Sequence, residues 1–353
     1  MWKEGVFLSN YKIPALNEEA GIQAKEYLDT LTKPIGSLGK LEEIVVQLAE
    51  MTGQRQPVMN QLGIIVFAAD HGVVDEGISA FPQQVTRQMV DNMAQGGAAI
   101  NVFGRQQQAK FSLVDVGVKG EDFSAPVKNH KVRQATKNFL QTEAMTQEEV
   151  EQALAIGYEE ALAIFEEGVD CLVVGEVGIG NTTTSSAIVA AVTALDPAGV
   201  VGFGTGISSE QHLHKIDVVR KALEFHQVNP QDGYDILRKV GGLEVAAMVG
   251  AMLAAASNHI PVVLDGFIST AAACVADKIA PGALHYMLLG HQSMEPGHQK
   301  AFEYLGKVPI VSLDMRLGEG TGAVVAFSII QSAVRMVHEM ATFESAGVSG
   351  KNE

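Results

Sequence analysis

Residues 171–187, CLVVGEVGIGNTTTSSA, constrain the fold of this chain more than any other segment. A continuous apolar run ends in a turn with three spaced glycines. An Asn-Thr-Thr-Thr-Ser-Ser cluster then begins a run of small and branched apolar residues. This order predicts a buried strand, a tight turn and a helix, which together form the repeating unit of an α/β protein.

The turn in this segment has the features of a phosphate site. Gly178 and Gly180 allow positive φ and a close approach of the backbone to a ligand. Asn181 or Thr182 can cap the helix, whose first N–H groups lie at the positive end of its dipole. The order GxxGxG differs from the dinucleotide-binding GxGxxG, and no lysine follows as in a P-loop. Close packing of a strand against a helix would require the same small residues, so both interpretations stay open.

Composition narrows the choice of partners. The net charge is −16, and 47% of the residues are hydrophobic while only 6% are aromatic. Abundant Gly and Ala favour helices packed closely on a sheet over a β-sandwich. Because like charges repel, so acidic a chain is a poor partner for nucleic acid or an anionic membrane. We expect a phosphate ligand to be held by neutral N–H donors and one or two well-placed cations.

Cysteine usage and hydropathy predict a cytoplasmic protein. Cys171 and Cys274 lie among small apolar residues without metal or redox spacing, which indicates buried thiols in a reducing compartment. The first residues lack the apolar core of a secretion signal. The longest uncharged run, 245–264, contains Asn, His and Pro, so a helix, a turn and a strand explain it better than a membrane span.

Short apolar runs alternate with helical patterns along most of the chain. Apolar runs without polar alternation indicate parallel strands covered on both faces. The chain therefore predicts an α/β fold with a doubly wound, mostly parallel, Rossmann-like sheet. The predicted strands are 62–69, 111–118, 170–175, 200–203, 261–265, 283–289 and 309–313. The predicted helices are 82–102, 147–167, 182–193, 208–227, 243–257 and 268–278.

Both ends of the chain break this rhythm. Residues 14–53 predict two helices around a turn at 33–39, and residues 321–341 predict one long helix. We expect the two ends to pack together as a small helical domain. The predicted division is a large α/β domain at 60–290 and a small domain formed by 1–59 with 291–353, which also supplies Glu319.

Two motifs raise the question of a metal. Asp70 and His71 follow the first predicted strand, and His291 and His298 follow a later one. Their spacing matches no standard ligand pattern, and Asp-His-Gly at a strand end commonly shapes a turn. We therefore predict no metal, with a metal-dependent hydrolase as an alternative.

A second glycine turn, GFGTG at 202–206, follows another predicted strand. Its Gly204, Thr205 and Gly206 suit a phosphate or a ribose that approaches the backbone closely. Lys215, on the helix that follows, could reach back to the ligand as a point charge or lie solvated on its helix.

Other polar and aromatic residues follow predicted strands, where open parallel sheets bind their ligands. Phe81 and Gln88 suit a neutral aromatic ligand, or they pack at a helix start. Asp265 suits ribose hydroxyls or developing positive charge, or it caps the helix that follows it. Ser293 is a candidate hydrogen-bond donor to a ligand.

Glu319 is the candidate general base. It lies between glycines at a predicted helix start, beside apolar Met315 and Leu317. Such a carboxylate can cap the helix, or it can be a base whose proton affinity is tuned by apolar walls. Glycine on both sides leaves open space around Glu319, which capping does not require, so we favour the base.

Taken together, these segments resemble one family, the nicotinate-nucleotide–dimethylbenzimidazole phosphoribosyltransferases of cobalamin synthesis. The matching pieces follow the family's order over nearly the whole chain: KPIGSLGKLE, AADHGV, SAFPQQVTRQMV, GEVGIGNTTTSSA, GFGTG, DGF, SMEPGH and RLGEGTGA. Many members have arginine where this chain has Phe203.

The resemblance implies transfer of a phosphoribosyl group from nicotinate mononucleotide to 5,6-dimethylbenzimidazole, giving α-ribazole 5′-phosphate and nicotinate. It also implies a Rossmann-like homodimer with no metal or organic cofactor, and the helix predicted at 243–257 is a candidate for the dimer interface. A sensor that binds a phosphorylated ligand without turnover is the alternative from another class.

The resemblance also assigns roles to individual residues. It places the catalytic base at Glu319 and a second active-site carboxylate at Glu176. Its phosphate loop corresponds to Gly178, Gly180, Asn181 and Thr182. Lys215, Asp265 and Ser293 match positions near the phosphoribosyl group, and Gln88, Met315 and Leu317 match positions in the benzimidazole pocket.

Overall fold

The computed structural model describes residues 11–204 and 206–349, and strands lie at the centre of it. In chain order, the strands are β1 (Leu62–Ala69), β2 (Lys110–Gly117), β3 (Lys128–Asn129), β4 (Cys171–Val177), β5 (Val262–Leu264), β6 (Met287–Leu289), β7 (His291–Gln292) and β8 (Val311–Ser312).

Helices cover this framework. They are α1 (Glu18–Thr30), α2 (Lys40–Thr52), α3 (Gln84–Ala94), α4 (Ala99–Gln106), α5 (Gln147–Phe165), α6 (Asn181–Thr193), α7 (Ser209–His226), α8 (Gly233–Val240), α9 (Leu243–Ser257), α10 (Phe267–Ile279), α11 (Pro296–Tyr304), α12 (Thr321–Glu339) and α13 (Phe343–Ala346).

Six strands form one parallel sheet in the order β3-β2-β1-β4-β5-β6. The chain reverses its direction across the sheet between β1 and β4, which is the topological switch point of a doubly wound fold. All eight residues of β1 are buried, so helices cover both faces at the centre. The predicted α/β class and parallel sheet are confirmed.

Two predicted strands, at 200–203 and 309–313, differ from the structure. No strand forms at 200–203, where Val200 and Val201 donate their N–H groups to the carbonyl of Pro197 in a tight turn. Residues 309–313 contribute only β8, which pairs with β7 in a separate two-stranded sheet. A short apolar run therefore does not by itself specify a strand or its partner in a sheet.

Helix boundaries differ at glycines and caps. The helix predicted at 82–102 is two helices, α3 and α4, because Gly96 adopts a φ of +78° between them. The sequence prediction missed α8, whose first N–H groups are capped by the Asp232 carboxylate. The run predicted as a strand at 283–289 begins instead as a 3-10 turn and becomes β6 only at its end.

Helices from both ends of the chain pack together. α2 packs against α1 and α12, and Leu31 forms a bridge with Thr342. α12 also packs against α4 and β5, so it covers the sheet as well. The division into a large and a small domain stays a prediction.

α12 is long and apolar enough to cross a membrane by length and composition. Its buried residues, which include Phe327 and Ile330, pack inside the protein, as in a core helix of a globular fold. Helix α9 is likewise buried from Leu243 to Ala256 by neighbours that include α5 and α10. The suggestion that this helix forms a dimer interface is therefore wrong.

The backbones of α5 and α9 meet in the core, and two glycines make this contact possible. A Cβ on Gly157 would lie 1.8 Å from the carbonyl oxygen of Ala247. Reciprocally, a Cβ on Gly250 would lie 2.0 Å from the carbonyl oxygen of Leu154. The two backbones therefore touch directly, without intervening side chains.

We expect Gly157→Ala to lower the free energy of unfolding by about 1–3 kcal/mol, because the added methyl forces α5 and α9 apart. The loss should exceed the gain of about 1 kcal/mol that alanine contributes through helix propensity. Gly199→Ala is the matched control, since a Cβ there meets no atom within 4 Å. Urea denaturation measures both, and an unchanged midpoint for Gly157→Ala would contradict the contact.

Candidate active site

A cavity of about 370 Å³ opens at the carboxyl ends of β4 and β5, beside the switch point of the sheet. It brings together most of the residues that the sequence nominated. Those that line it are Phe81, Glu176, Gly178, Asn181, Thr182, Gly204, Asp265, Ser293, Leu317 and Glu319.

A smaller cavity of about 40 Å³ adjoins it and is lined by the first glycine turn, which includes Gly180, together with Lys215. Gln88, Met315 and Gly206 are not among the described residues that line either cavity. Gln88 has an exposed side chain on α3. The remaining nominated residue, Thr205, lies outside the residues that the structure describes.

The first glycine turn leads directly into α6. Gly180 is the N-cap residue, with a φ of +102°, and no side chain caps the helix. The expectation that Asn181 or Thr182 provides the cap is therefore wrong, because Asn181 donates to Glu176 and Thr182 accepts from Lys215. A helix N-terminus without a side-chain cap is the arrangement that binds anions.

Lys215 is buried rather than solvated. It is 1% exposed, and its Nζ donates to Thr182 Oγ1 at 2.9 Å. A Cβ on Gly204 would lie 3.4 Å from this Nζ, so the second glycine turn passes directly beside the ammonium group. Burial lowers the pKa of Lys215 to about 8, although the nearby Glu295 opposes the shift. The two glycine turns therefore meet around one buried cation.

Glu319 lies in a run of left-handed residues that packs tightly on β4. Gly318, Glu319 and Gly320 have φ values of +89°, +64° and +93°. A Cβ on Gly318 would lie 2.4 Å from Glu176 Oε1, and one on Gly175 would lie 2.1 Å from the Glu319 carbonyl oxygen. The glycines beside Glu319 therefore allow close contact with the sheet. The expectation that they leave open space is wrong.

The Glu319 carboxylate is buried in the cavity wall, where Oε2 accepts a hydrogen bond from the Ile100 N–H at 3.2 Å. Burial raises its pKa above the usual range, and the negative charge of Asp265 adds to this effect. A carboxylate with a raised pKa is a stronger proton acceptor than a solvated one.

Asp265 caps α12, so Glu319 does not serve that purpose. Asp265 Oδ2 accepts from the Gly320 N–H at 3.2 Å, and Oδ1 accepts from the Ala323 N–H at 3.0 Å. The sequence alternative that Asp265 caps the helix that follows it is wrong, since it caps α12 from across the sheet. This contact holds the Glu319 loop in place.

Glu176, at the end of β4, is buried among other carboxylates. It accepts hydrogen bonds from Asn181 Nδ2 and from the Glu319 N–H. Burial raises its pKa well above the usual range, and the charges of Asp265 and Glu244 raise it further. A cationic ligand in the cavity would favour its ionised form.

The histidines that suggested a metal have other partners. His71 Nε2 lies 2.8 Å from Glu244 Oε1, and its Nδ1 lies 3.0 Å from Thr184 Oγ1. The Ser293 N–H donates to His298 Nδ1 at 2.8 Å. Burial lowers the pKa of His298 to about 3, which keeps this ring neutral. The described residues contain no group of three or more His, Cys, Asp or Glu that could hold a metal ion.

Several residues of the site were not predicted from the sequence. Val85 and Met89 line the cavity from successive turns of α3, and this i, i+4 spacing was visible in the sequence. Thr86 Oγ1 accepts from the Ile179 N–H at 3.0 Å and so supports the glycine turn. Glu295 also lines the cavity, and no sequence signal separates it from an ordinary helix start.

The exposed ring of Phe203 stacks on His212, with 4.2 Å between the ring centroids. The His212 ring also lies 2.9 Å from the Val201 carbonyl oxygen. Phe203 lines the smaller cavity, so the second glycine turn presents an aromatic face there in place of a cation.

Comparison with known proteins finds extensive similarity. A family model described as phosphoribosyltransferase matches residues 13–348. The chain is 47% identical to the nicotinate-nucleotide–dimethylbenzimidazole phosphoribosyltransferase of Halalkalibacterium halodurans, over 97% of this chain and 96% of that one. It is 48% identical to the protein of the same name from Chloroflexus aggregans, over 97% of both. A crystal structure of CobT from Thermus thermophilus superposes with a TM-score of 0.91 at 45% identity, covering 94% of this chain and 100% of that one.

We expect the affinity for a phosphate monoester to fall as the pH rises above about 8, because Lys215 then loses its charge. Binding of the anion raises the pKa of Lys215. Lys215 therefore takes up protons on binding when the pH is near 8. The second ionisation of a phosphate monoester, near pH 6, is complete by then and does not contribute. Calorimetric titration in buffers of different ionisation enthalpy measures the proton uptake.

Lys215→Gln is the matched variant for this experiment. It should bind the monoester more weakly at pH 7 and show no further weakening above pH 8. The same pH dependence in wild type and Lys215→Gln would remove Lys215 from the phosphate site.

Proposed function

The chain belongs to the nicotinate-nucleotide–dimethylbenzimidazole phosphoribosyltransferase family, and we propose that it carries out that reaction with Glu319 as the base. The observation that supports Glu319 most directly is its buried carboxylate in the wall of the cavity that the two glycine turns also border. The reaction moves a 5-phosphoribosyl group from nicotinate mononucleotide to dimethylbenzimidazole and assists assembly of the cobalamin nucleotide loop.

The donor substrate carries its own leaving group. The nicotinate ring nitrogen of the nucleotide is cationic, and it becomes neutral when the bond to the anomeric carbon breaks and the electron pair returns to the ring. Departure therefore needs no proton. The incoming ring nitrogen attacks from the opposite face, so a β-riboside becomes an α-riboside.

The acceptor substrate requires a base. As one nitrogen of dimethylbenzimidazole bonds to the anomeric carbon, the N–H on its other nitrogen becomes acidic and its proton must leave. The Glu319 carboxylate receives this proton, and its raised pKa suits the transfer. A positioned base contributes about 10²–10⁴ to the rate.

The phosphoribosyl group fits the polar side of the cavity. Its phosphate would accept from the N–H groups at the start of α6 and from the Lys215 ammonium. Glu176 and Asp265, which line the same cavity, would stabilise the positive charge that grows on the ribosyl carbon. Ser293 lies on the same wall and would contact the sugar.

The benzimidazole fits the apolar side. Val85 and Met89 form one wall from α3, Phe81 contributes from the segment just before that helix, and Leu317 contributes from the Glu319 loop. A flat, neutral ring is bound by such surfaces through burial of its faces. Gln88 and Met315 do not line the cavity. Their contacts with the benzimidazole ring therefore stay predictions.

Neither alternative gains support. The one carboxylate of the hydrolase motif, Asp70, accepts the Lys119 N–H through its Oδ2, and the described residues contain no group that could hold a metal ion. A sensor that binds without turnover would not need a buried carboxylate with a raised pKa beside the apolar wall.

Positioning of the two substrates in line contributes at least as much to the rate as proton transfer to Glu319.

We also propose that the protein is a homodimer. Met294, Leu313 and Leu317 are exposed apolar side chains on the segments that carry Ser293 and Glu319 to the cavity. The Met294 N–H donates to the Met315 carbonyl at 3.2 Å, so the two segments form one surface. Neighbouring exposed apolar side chains are typical of subunit interfaces.

A cytoplasmic location is part of the same proposal. Cys171 and Cys274 are free and buried, and burial raises the pKa of the Cys274 thiol to about 12. Such thiols are unreactive core groups, which fits a reducing compartment.

Purified protein supplied with nicotinate mononucleotide and 5,6-dimethylbenzimidazole should release nicotinate and form α-ribazole 5′-phosphate. Glu319→Gln should lower kcat by about 10²–10⁴, because an amide cannot take the proton. The affinity for dimethylbenzimidazole should change little. Product chromatography measures turnover, and calorimetry measures binding.

Glu224→Gln is the matched control, since Glu224 is an exposed carboxylate on α7. It should retain the wild-type rate. Absence of nicotinate release by the folded wild-type protein would overturn the function, and near-wild-type turnover by Glu319→Gln would place the base elsewhere.

The pH dependence of kcat/KM for dimethylbenzimidazole gives a separate test. Glu319 acts as a base only when ionised, so the rate falls as the pH drops through its raised pKa. The acidic limb should lie above the value of about 4.3 of a solvated glutamate. Asp265→Asn removes a negative charge that raises this pKa, so the limb should move to lower pH.

The ring nitrogens of the substrate titrate equally in both proteins, so only an enzyme group can move the limb. An acidic limb at the same pH in wild type and Asp265→Asn would show that the substrate, not Glu319, sets it.

A further inference from the structure

Glu295 is a buried carboxylate that neither helix capping nor the proposed chemistry uses. It occupies the N-cap position of α11, yet its side chain makes no capping hydrogen bond. It is 9% exposed, and its Oε2 is buried without a hydrogen-bond partner within the described chain. The residue lines the main cavity. A carboxylate with an unpaired buried oxygen, on a residue that borders a ligand cavity, points to a ligand that brings a hydrogen-bond donor.

The surroundings hold this carboxylate in place. A Cβ on Gly202 would lie 1.9 Å from Glu295 Oε2, so only glycine at position 202 allows the side chain to lie there. Burial raises the pKa of Glu295, while the charge of Lys215 and the N–H of Gly204 act in the opposite direction. Lys215 therefore lies close enough to interact with Glu295 while its Nζ bonds Thr182 at the first glycine turn.

The two charges recognise different parts of a phosphoribosyl group. A phosphate offers only acceptors near neutral pH and is repelled by a carboxylate. The 2′- and 3′-hydroxyls of the ribose are donors, and an ionised carboxylate can only accept. Lys215 at the glycine turn suits the phosphate, and Glu295 suits a sugar hydroxyl beside it.

We propose that Glu295 is a specificity-determining residue that accepts a hydrogen bond from a ribose hydroxyl of the phosphoribosyl donor. This inference rests on the function proposed above. It predicts selection of ribonucleotide over deoxyribonucleotide donors, because a site built around a hydroxyl rejects the analogue that leaves its buried acceptor unpaired.

The test compares nicotinate mononucleotide with its 2′-deoxy and 3′-deoxy analogues in wild type, Glu295→Ala and Glu295→Gln. Wild type should prefer the ribonucleotide over one of the two analogues by about 10- to 100-fold in kcat/KM, the effect of one charged hydrogen bond. The analogue that suffers identifies the hydroxyl.

Glu295→Ala should lose most of this preference. The loss should come from a lower kcat/KM for the ribonucleotide. The kcat/KM for the deoxy analogue that wild type disfavours should stay within about threefold of wild type. Glu295→Gln keeps one acceptor oxygen and should show an intermediate preference. It also provides the measurement if Glu295→Ala does not fold.

Glu303→Gln is the matched control, because Glu303 lies on the same helix with an exposed side chain and should keep the wild-type preference. Equal use of all three donors by wild type, or an unchanged preference in both Glu295 variants, would overturn the role of Glu295. Those outcomes leave the proposed function standing, whereas no turnover of the ribonucleotide by wild type overturns the function itself.

Discussion

The site depends on the close packing of the 318–320 loop against the end of β4. A Cβ on Gly175 would clash with the Glu319 carbonyl oxygen, and a Cβ on Gly318 would clash with the Glu176 carboxylate. Asp265 fastens the same loop by capping α12 through the N–H groups of Gly320 and Ala323. A left-handed backbone at Glu319 is unfavourable for a residue with a side chain, so the surrounding contacts must hold it. These contacts fix the backbone that places the Glu319 carboxylate in the cavity wall.

The charges around the cavity follow the charges of the substrates. Glu176, Asp265, Glu295 and Glu319 all line it, and the buried cation Lys215 lines the smaller cavity that adjoins it. Crowded carboxylates raise one another's pKa in the free protein, which disfavours ionisation. A donor with a cationic ring and a ribosyl carbon that becomes positive would relieve this repulsion, while its phosphate would meet the lysine and the N-terminus of α6. Under the proposed function, an acidic protein would bind an anionic nucleotide because only local groups, the lysine and the helix N-terminus, would contact the phosphate.

The sequence predicted the fold and the members of the site better than their physical roles. The strand–turn–helix order at 171–187 and the apolar runs indicated the parallel sheet, because these patterns depend on local burial. The strand predicted at 200–203 failed, since burial of Val200 and Val201 comes from tertiary packing. Glu319, which the sequence nominated as the base, lines the cavity, but the glycines beside it allow close contact where open space was expected. Glu295 could not be found, because its lack of a partner is a property of three-dimensional packing alone.

The central claim is that Glu319 collects the proton from the benzimidazole ring. A crystal structure of the protein with dimethylbenzimidazole and an unreactive analogue of nicotinate mononucleotide tests it most directly. The account predicts a Glu319 carboxylate oxygen within about 2.6–3.2 Å of the ring nitrogen that faces away from the ribose, with the other ring nitrogen directed at the anomeric carbon. A carboxylate turned away from the ring, or separated from that nitrogen by more than hydrogen-bonding distance with no bridging water, would contradict it.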